Sequence, residues 1–133
     1  NYQRTLEDYS DYVEIARNAG AGETLDRIIP EIYNEAMFPG TAMLYSFPSY
    51  VYSLWQEYSV EELEYIASFC KEKGIPAATV YWEYWSEETE KIFEKNGISL
   101  YVYTVNDRDQ ARRYISQGAE GICTDFLTAE DLW

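Results

Sequence analysis

The apolar positions of this chain change period several times, and the changes divide it into elements. Leu6, Tyr9, Tyr12, Val13 and Ala16 recur at helical spacing and predict a helix from Leu6 to Asn18. Thr5 reads as its N-cap, ahead of the acidic residues Glu7 and Asp8, with residues 1–4 as a ragged start. Two glycines, Gly20 and Gly22, end the pattern, and a short helical piece is expected at Glu23–Asp26. Residues 27–34, Arg-Ile-Ile-Pro-Glu-Ile-Tyr-Asn, read as a strand. Pro30 cannot donate a ladder hydrogen bond, so an edge or irregular position is expected there. Pro39-Gly40 reads as a turn or helix stop, and Thr41–Phe47 as the next strand. The aromatic run from Tyr50 to Tyr58 reads as a short helix or an ordered loop.

From residue 59 the pattern becomes regular. Ser59-Val-Glu-Glu62 has the form of a capping box. The helix it opens runs through Leu63, Ile66, Ala67 and Cys70 to Lys71 and Lys73, and Gly74 ends it. Residues 75–82 are apolar without alternation, which is the signature of a strand buried on both faces. Ser86 caps a helix with Glu87, Glu88 and Glu90 in its first turn, and Asn96-Gly97 stops it. Residues 98–105 are the next strand. Asn106 or Asp107 caps a helix from Arg108 to Ser116, and Gly118 ends that one. Residues 121–125 are the last strand, followed by a short helix capped by Thr128.

Five strands are thus expected, at 27–34, 41–47, 75–82, 98–105 and 121–125, with helices between them. Such alternation implies an α/β fold with a parallel sheet and right-handed crossovers. Periodicity alone leaves two architectures open, a doubly wound open sheet and part of a (β/α)8 barrel. The whole chain, 1–133, reads as one domain.

Composition narrows the function. The net charge is −14, from 10 basic and 24 acidic residues, which argues against nucleic acid and against an anionic membrane surface. No apolar run is long enough to span a bilayer. The first residue is Asn1 rather than Met, so the sequence leaves the compartment open, with the cytoplasm as the default expectation. Cys70 and Cys123 lack metal-ligand spacing and read as buried thiols. There is no histidine, which removes the commonest general base and transition-metal ligand. The 14 tyrosines and 4 tryptophans suit half-buried faces, pockets and interfaces.

In parallel α/β folds, ligands meet the C-terminal ends of the strands. That rule selects Glu31, Tyr33 and Asn34; Ser46 and Phe47; Tyr81, Trp82 and Glu83; Tyr103, Thr104 and Asn106; and Thr124 and Asp125. Together these offer carboxylates, phenols and an amide with aromatic walls. Glu31 stands out, because a carboxylate within an apolar strand needs a partner. The acidic run around Glu61 and Glu62 reads as a solvated helix face, and the Glu87-Glu88 pair as first-turn complements to a helix dipole.

One combination carries a family resemblance. Tyr101-Val-Tyr-Thr-Val-Asn106, then Asp107, then Gly118-Ala-Glu-Gly-Ile-Cys-Thr-Asp125 resembles the C-terminal signature of the glycerophosphodiester phosphodiesterases. That family shows a strand ending in W-T-V-N, a helix, and then G-V-D-G-I-x-T-D. Here Tyr103 stands in place of the Trp, and Ala119-Glu120 in place of Val-Asp. Residues 27–34 also resemble a mid-barrel strand of a bacterial branch, so the likeness spans about residues 25–127.

The resemblance implies a TIM-like (β/α)8 barrel, with these five strands as its fourth to eighth. It implies hydrolysis of glycerophosphodiesters by the complete barrel, with Ca²⁺ or Mg²⁺ and acid/base histidines. This chain would hold neither the histidines nor a metal of its own. It would give Glu31, Tyr33, Tyr81, Trp82, Tyr103 and Asn106 to one side of the substrate pocket. The expected partners are the missing N-terminal barrel segment, or a second copy joined through exposed strand edges, and a small glycerophosphodiester for the whole barrel. A second reading is a non-catalytic binding or interaction module on a degenerate barrel scaffold. A third is an unrelated small α/β domain.

Overall fold

The computed structural model describes residues 1–133. It divides into two compact units, Asn1–Val51 and Tyr52–Trp133.

The first unit begins with helix α1, Tyr2–Asn18, capped by the side chain of Asn1. Residues 1–4 are therefore the cap and first turn of a helix, and Thr5 is not a cap. Its hydroxyl instead shares a 2.7 Å hydrogen bond with Tyr33. A 3₁₀ turn follows at Gly22–Arg27. Strand β1 covers only Glu31–Ile32, much shorter than the expected 27–34. Pro30, immediately before it, lacks an amide to extend the pairing, and its carbonyl accepts from Val51 at 3.1 Å. Helix α2 spans Met37–Leu44. This overturns the strand expected at 41–47. Pro39 lies in the first turn of α2, where its missing amide costs no helical bond. Gly40 lies where α2 packs closely on α1: a Cβ there would lie 3.1 Å from Leu6 Cδ1. A pair that reads locally as a stop is thus a helix start and a helix contact. Val13, Leu25, Ile32 and Met37 are this unit's buried apolar residues.

Strand β2, Val51–Leu54, falls where a helix or loop was expected. From there the observed elements follow the sequence closely. They are α3 (Val60–Lys73), β3 (Ala77–Tyr81), α4 (Glu87–Lys95), β4 (Ser99–Tyr103), α5 (Arg108–Ser116), β5 (Gly121–Ile122) and α6 (Ala129–Leu132). The caps explain the agreement. Ser59 and Glu62 form the reciprocal box, Gly74 adopts the left-handed cap at φ 70°, and Ser86 and Asp107 cap α4 and α5. Capping of α5 thus belongs to Asp107, not Asn106. The Cys70 thiol is buried and that of Cys123 half-buried, just past β5.

The sheet order is β1-β2-β3-β4-β5. Strands β3–β4 and β4–β5 pair in parallel. Strict sequence order lacks the reversal that defines a doubly wound sheet and matches a barrel wall. Burial agrees. Ala78, Val80, Leu100 and Val102 are buried to 1% exposure or less, while Ala77, Thr79, Tyr81, Ser99, Tyr101 and Tyr103 are half-buried. Only alternate residues pack under the helices, so one face of these strands carries the helices. The continuous apolar run of 75–82 does not distinguish these faces, because Tyr81 is aromatic and amphipathic.

Candidate functional site

The parallel register builds the aromatic site. Tyr81 and Tyr103 are partners at the last rung of β3 and β4, so both side chains emerge on the face away from the helices. Their ring centroids are 5.8 Å apart. A 3₁₀ turn at Trp82–Tyr84 then folds two more rings onto Tyr81, with Trp82 at 5.6 Å and Tyr84 at 5.8 Å. The Tyr103 hydroxyl donates to the carbonyl of Leu54 at 3.4 Å and ties the cluster to the end of β2. Tilted ring contacts of this kind hold an aromatic wall in one arrangement. Three of the sequence-selected residues, Tyr81, Trp82 and Tyr103, are therefore brought together at the C-terminal ends of the strands.

Asn106 sits apart from that wall. Its Oδ1 accepts from the Thr124 hydroxyl and the Asp125 amide, both at 2.9 Å, and its Nδ2 donates to Asp125 Oδ2 at 2.7 Å. The two halves of the motif at 101–125 are thereby stapled to each other across nearly twenty residues. Arg108 adds an ion pair to Asp131, whose carboxylate also completes the cap with Thr128. Bonding to the Thr128 amide holds that carboxyl below its usual pKa. Asn106→Ala removes all three staple bonds at an exposed site. The expected loss is about 1 kcal/mol in urea unfolding, since exposed bonds exchange readily for water. A loss below the error of the measurement would show the staple to be incidental.

Glu31 and Tyr33 lie in the first unit. The Glu31 side chain is exposed, which corrects the expectation that it needs a partner. Its backbone is what is held: the Tyr9 hydroxyl donates to the Glu31 carbonyl at 3.0 Å and lies 3.2 Å from the Glu31 amide. Burial raises the pKa of that Tyr9 hydroxyl. Tyr33 spends its hydroxyl on Thr5. Ser46 and Phe47 do not sit on a strand end, because 41–47 is not a strand. Phe47 packs instead against Tyr45 and Tyr50, at 5.3 and 6.2 Å.

Sequence reasoning passed over Tyr84 and Trp85. Trp85 packs at 5.3 Å against Tyr114, and the Tyr114 hydroxyl donates to the Trp82 carbonyl at 3.3 Å. The signal was the run Trp82-Glu-Tyr-Trp85 directly after a strand. No group of three or more His, Cys, Asp or Glu side chains is arranged to hold a metal ion. No helix is long and apolar enough to cross a membrane.

The Glycerophosphoryl diester phosphodiesterase family model matches residues 41–129, which take in the aromatic wall and the staple and exclude Glu31 and Tyr33. No curated protein matches the chain. Among solved structures it is similar to a Silicibacter pomeroyi DSS-3 protein provisionally described as a glycerophosphoryl diester phosphodiesterase. The TM-score is 0.68 and the identity 16%, over 95% of this chain and 43% of that one. It is also similar to an Oleispira antarctica phosphodiesterase solved with the product sn-glycerol-3-phosphate. There the TM-score is 0.56 and the identity 12%, over 77% of this chain and 37% of that one. The chain thus spans less than half the length of either, and at these identities the likeness is one of fold. With the family model matching well over half of its residues, the chain belongs to the glycerophosphoryl diester phosphodiesterase family.

Proposed function

We propose that these βα units form the C-terminal part of a barrel that, when complete, hydrolyses glycerophosphodiesters, and that this chain alone is inactive. The observation that carries the reading is the family match, which runs from residue 41 through the aromatic wall to the Asn106 staple. Hydrolysis of a phosphodiester needs a proton donor for the leaving oxygen and positive charge beside the phosphate. This chain has no histidine. Its acidic residues gather no metal set, so they do not fit the Ca²⁺ or Mg²⁺ implied by the family, and no catalytic step is assigned to them. The acid/base groups and the metal ligands belong, on this reading, to other strands of the barrel.

The role left to the chain is binding. Tyr81, Trp82 and Tyr103 supply one wall of the mouth. The partner is the remaining barrel segment, or a second copy, joined at the edges of the sheet. Those edges are β1 and β5, each only two residues long. Short edges pair weakly with strangers, so association is expected to be specific rather than aggregative. A chain that stays monomeric in light scattering at micromolar concentration, and that binds no segment bearing the preceding strands, would defeat this.

The alternative is a non-catalytic binding module, and the missing histidine is what favours it. One assay separates the two. The isolated chain, given glycerophosphodiesters with Ca²⁺ or Mg²⁺, is expected to show no turnover above background. Restored turnover with the complementary segment supports the split barrel, and its absence supports the binding module. Robust turnover by the chain alone overturns the claim of inactivity.

A further inference from the structure

Strand β1 is an edge of the sheet, and its outward backbone groups are already occupied. Successive residues of a strand direct their amides and carbonyls to opposite sides. The Pro30 carbonyl accepts from Val51, the first residue of β2, so the amide and carbonyl of Glu31 face away from that strand. The Tyr9 hydroxyl engages both. It donates to the Glu31 carbonyl at 3.0 Å and accepts from the Glu31 amide at 3.2 Å. One phenol thus takes the place that the backbone of a neighbouring strand would fill.

Helix α1 is fixed along this edge at a second point. Thr5, one turn before Tyr9 on the same face of α1, shares a 2.7 Å hydrogen bond with the hydroxyl of Tyr33, two residues beyond Glu31. Burial raises the pKa of the Tyr9 hydroxyl, so it keeps its proton, and with it the bond to the carbonyl, across the neutral range. Without that cover the edge would recruit a partner. Ile28 and Ile29, which lead into β1, are 40% and 55% exposed, and with Tyr9 they line an apolar cleft of about 240 Å³. Unpaired backbone groups beside exposed apolar side chains are a template for another chain.

We propose that α1 guards this edge: the Tyr9 hydroxyl holds β1 closed to a second copy of the chain, which pairs there only when Tyr9 withdraws. Two opened edges are self-complementary, because an antiparallel pair exchanges both bonds at facing Glu31 residues. The net charge of −14 opposes the pairing as well, by a repulsion that salt screens. The guard stands whether or not a complete barrel hydrolyses a diester.

The test is Tyr9→Phe in the intact chain, which keeps the ring and removes only the hydroxyl. Hydrogen exchange is expected to quicken about tenfold at the Glu31 amide and to stay unchanged at the amides of α1, which checks that the helix remains folded. Sedimentation in about 0.5 M salt, where repulsion is screened, is expected to show the variant associating at a concentration at least about tenfold below that of the wild type. Thr5→Val is the matched control. It removes the bond to Tyr33 without touching the Glu31 backbone, and it is expected to associate no more than the wild type. Adding Glu31→Pro to Tyr9→Phe removes the outward amide at no loss of a bond to β2, and it is expected to restore wild-type behaviour. Unchanged exchange at Glu31, or equal association of Tyr9→Phe and wild type, overturns the guard. So does equal association of the Thr5→Val variant, which would mean a general loosening of α1, or association that survives Glu31→Pro. A complementary segment that fails to restore turnover counts against the proposed barrel alone.

Discussion

Gly121→Ala is expected to loosen the β4–β5 pairing and to destabilise the protein by about 1–3 kcal/mol, the usual range for forcing extra atoms into a packed site. Gly121 pairs with Tyr101 across the two strands. A Cβ at 121 would sit 2.6 Å from Cε1 and 2.7 Å from Cδ1 of the Tyr101 ring. The glycine is there for space. Either the ring leaves the sheet or the strand does. The strand is held by few bonds: Glu120 donates to Leu100 at 2.9 Å, Cys123 to Val102 at 2.8 Å, and Val105 to Cys123 at 3.0 Å. Urea unfolding gives the loss, and faster hydrogen exchange at the Cys123 amide locates it. Adding Tyr101→Ala to Gly121→Ala is expected to recover part of the stability, because the clash partner is gone. Additive losses in the double variant would mean that the ring contact is not the cause.

The same glycine belongs to the motif that carries the family resemblance, so part of that motif is explained by packing alone. Asn106 is explained likewise, by its bonds to Thr124 and Asp125. What made the second unit legible was local chemistry. A cap and its N3 partner lie three residues apart, and a left-handed glycine acts within one turn, so Ser59, Gly74 and Ser86 each declare themselves, and the cap of α5 narrows to Asn106 or Asp107. Residues 37–54 depend on partners far along the chain. Gly40 packs against Leu6, and no local rule contains that information. Even so, spacing held a clue. A capped helix at 59 should follow its strand by a few residues, as Ser86 follows β3, and Val51–Leu54 is the only stretch there of the right type.

The candidate site divides in the same way. The rule that strand ends carry ligands selected Tyr81, Trp82 and Tyr103, and strand register and the turn after β3 bring these rings to one strand end. It missed Tyr84, which reaches Tyr81 through a turn whose shape no periodicity encodes. It selected Glu31 from an apolar run, yet the strand there has two residues and the side chain faces water.

Glu90→Gln is expected to stabilise the protein above neutral pH and to leave it nearly unchanged at pH 5. Glu90 lies on α4, half-buried, and its Oε2 is buried without a hydrogen-bond partner. Burial, and then the neighbouring charges of Glu94 and Glu120, raise its pKa from the usual 4.5 to about 7. The sign follows by linkage. Between pH 4.5 and about 7 the folded protein keeps a proton that the unfolded chain has lost, so stability falls as pH rises through this window. Below it both states are protonated, and above it the full penalty applies. Solvent screens a half-exposed group, so the penalty is set at about 1–2 kcal/mol rather than the full equivalent of the shift. Two other carboxylates act in the opposite sense and at lower pH. Glu62 and Asp131 have lowered pKa values through their bonds to Ser59 and Thr128, so their contributions are lost as the solution becomes acidic. Wild-type stability should therefore peak near pH 5 and decline toward pH 8. The glutamine variant carries the same remaining charges, so general repulsion in this acidic chain cancels in the comparison, and only the decline due to Glu90 disappears. Parallel pH–stability curves for the two proteins between pH 5 and 8 would show that Glu90 is not the group responsible.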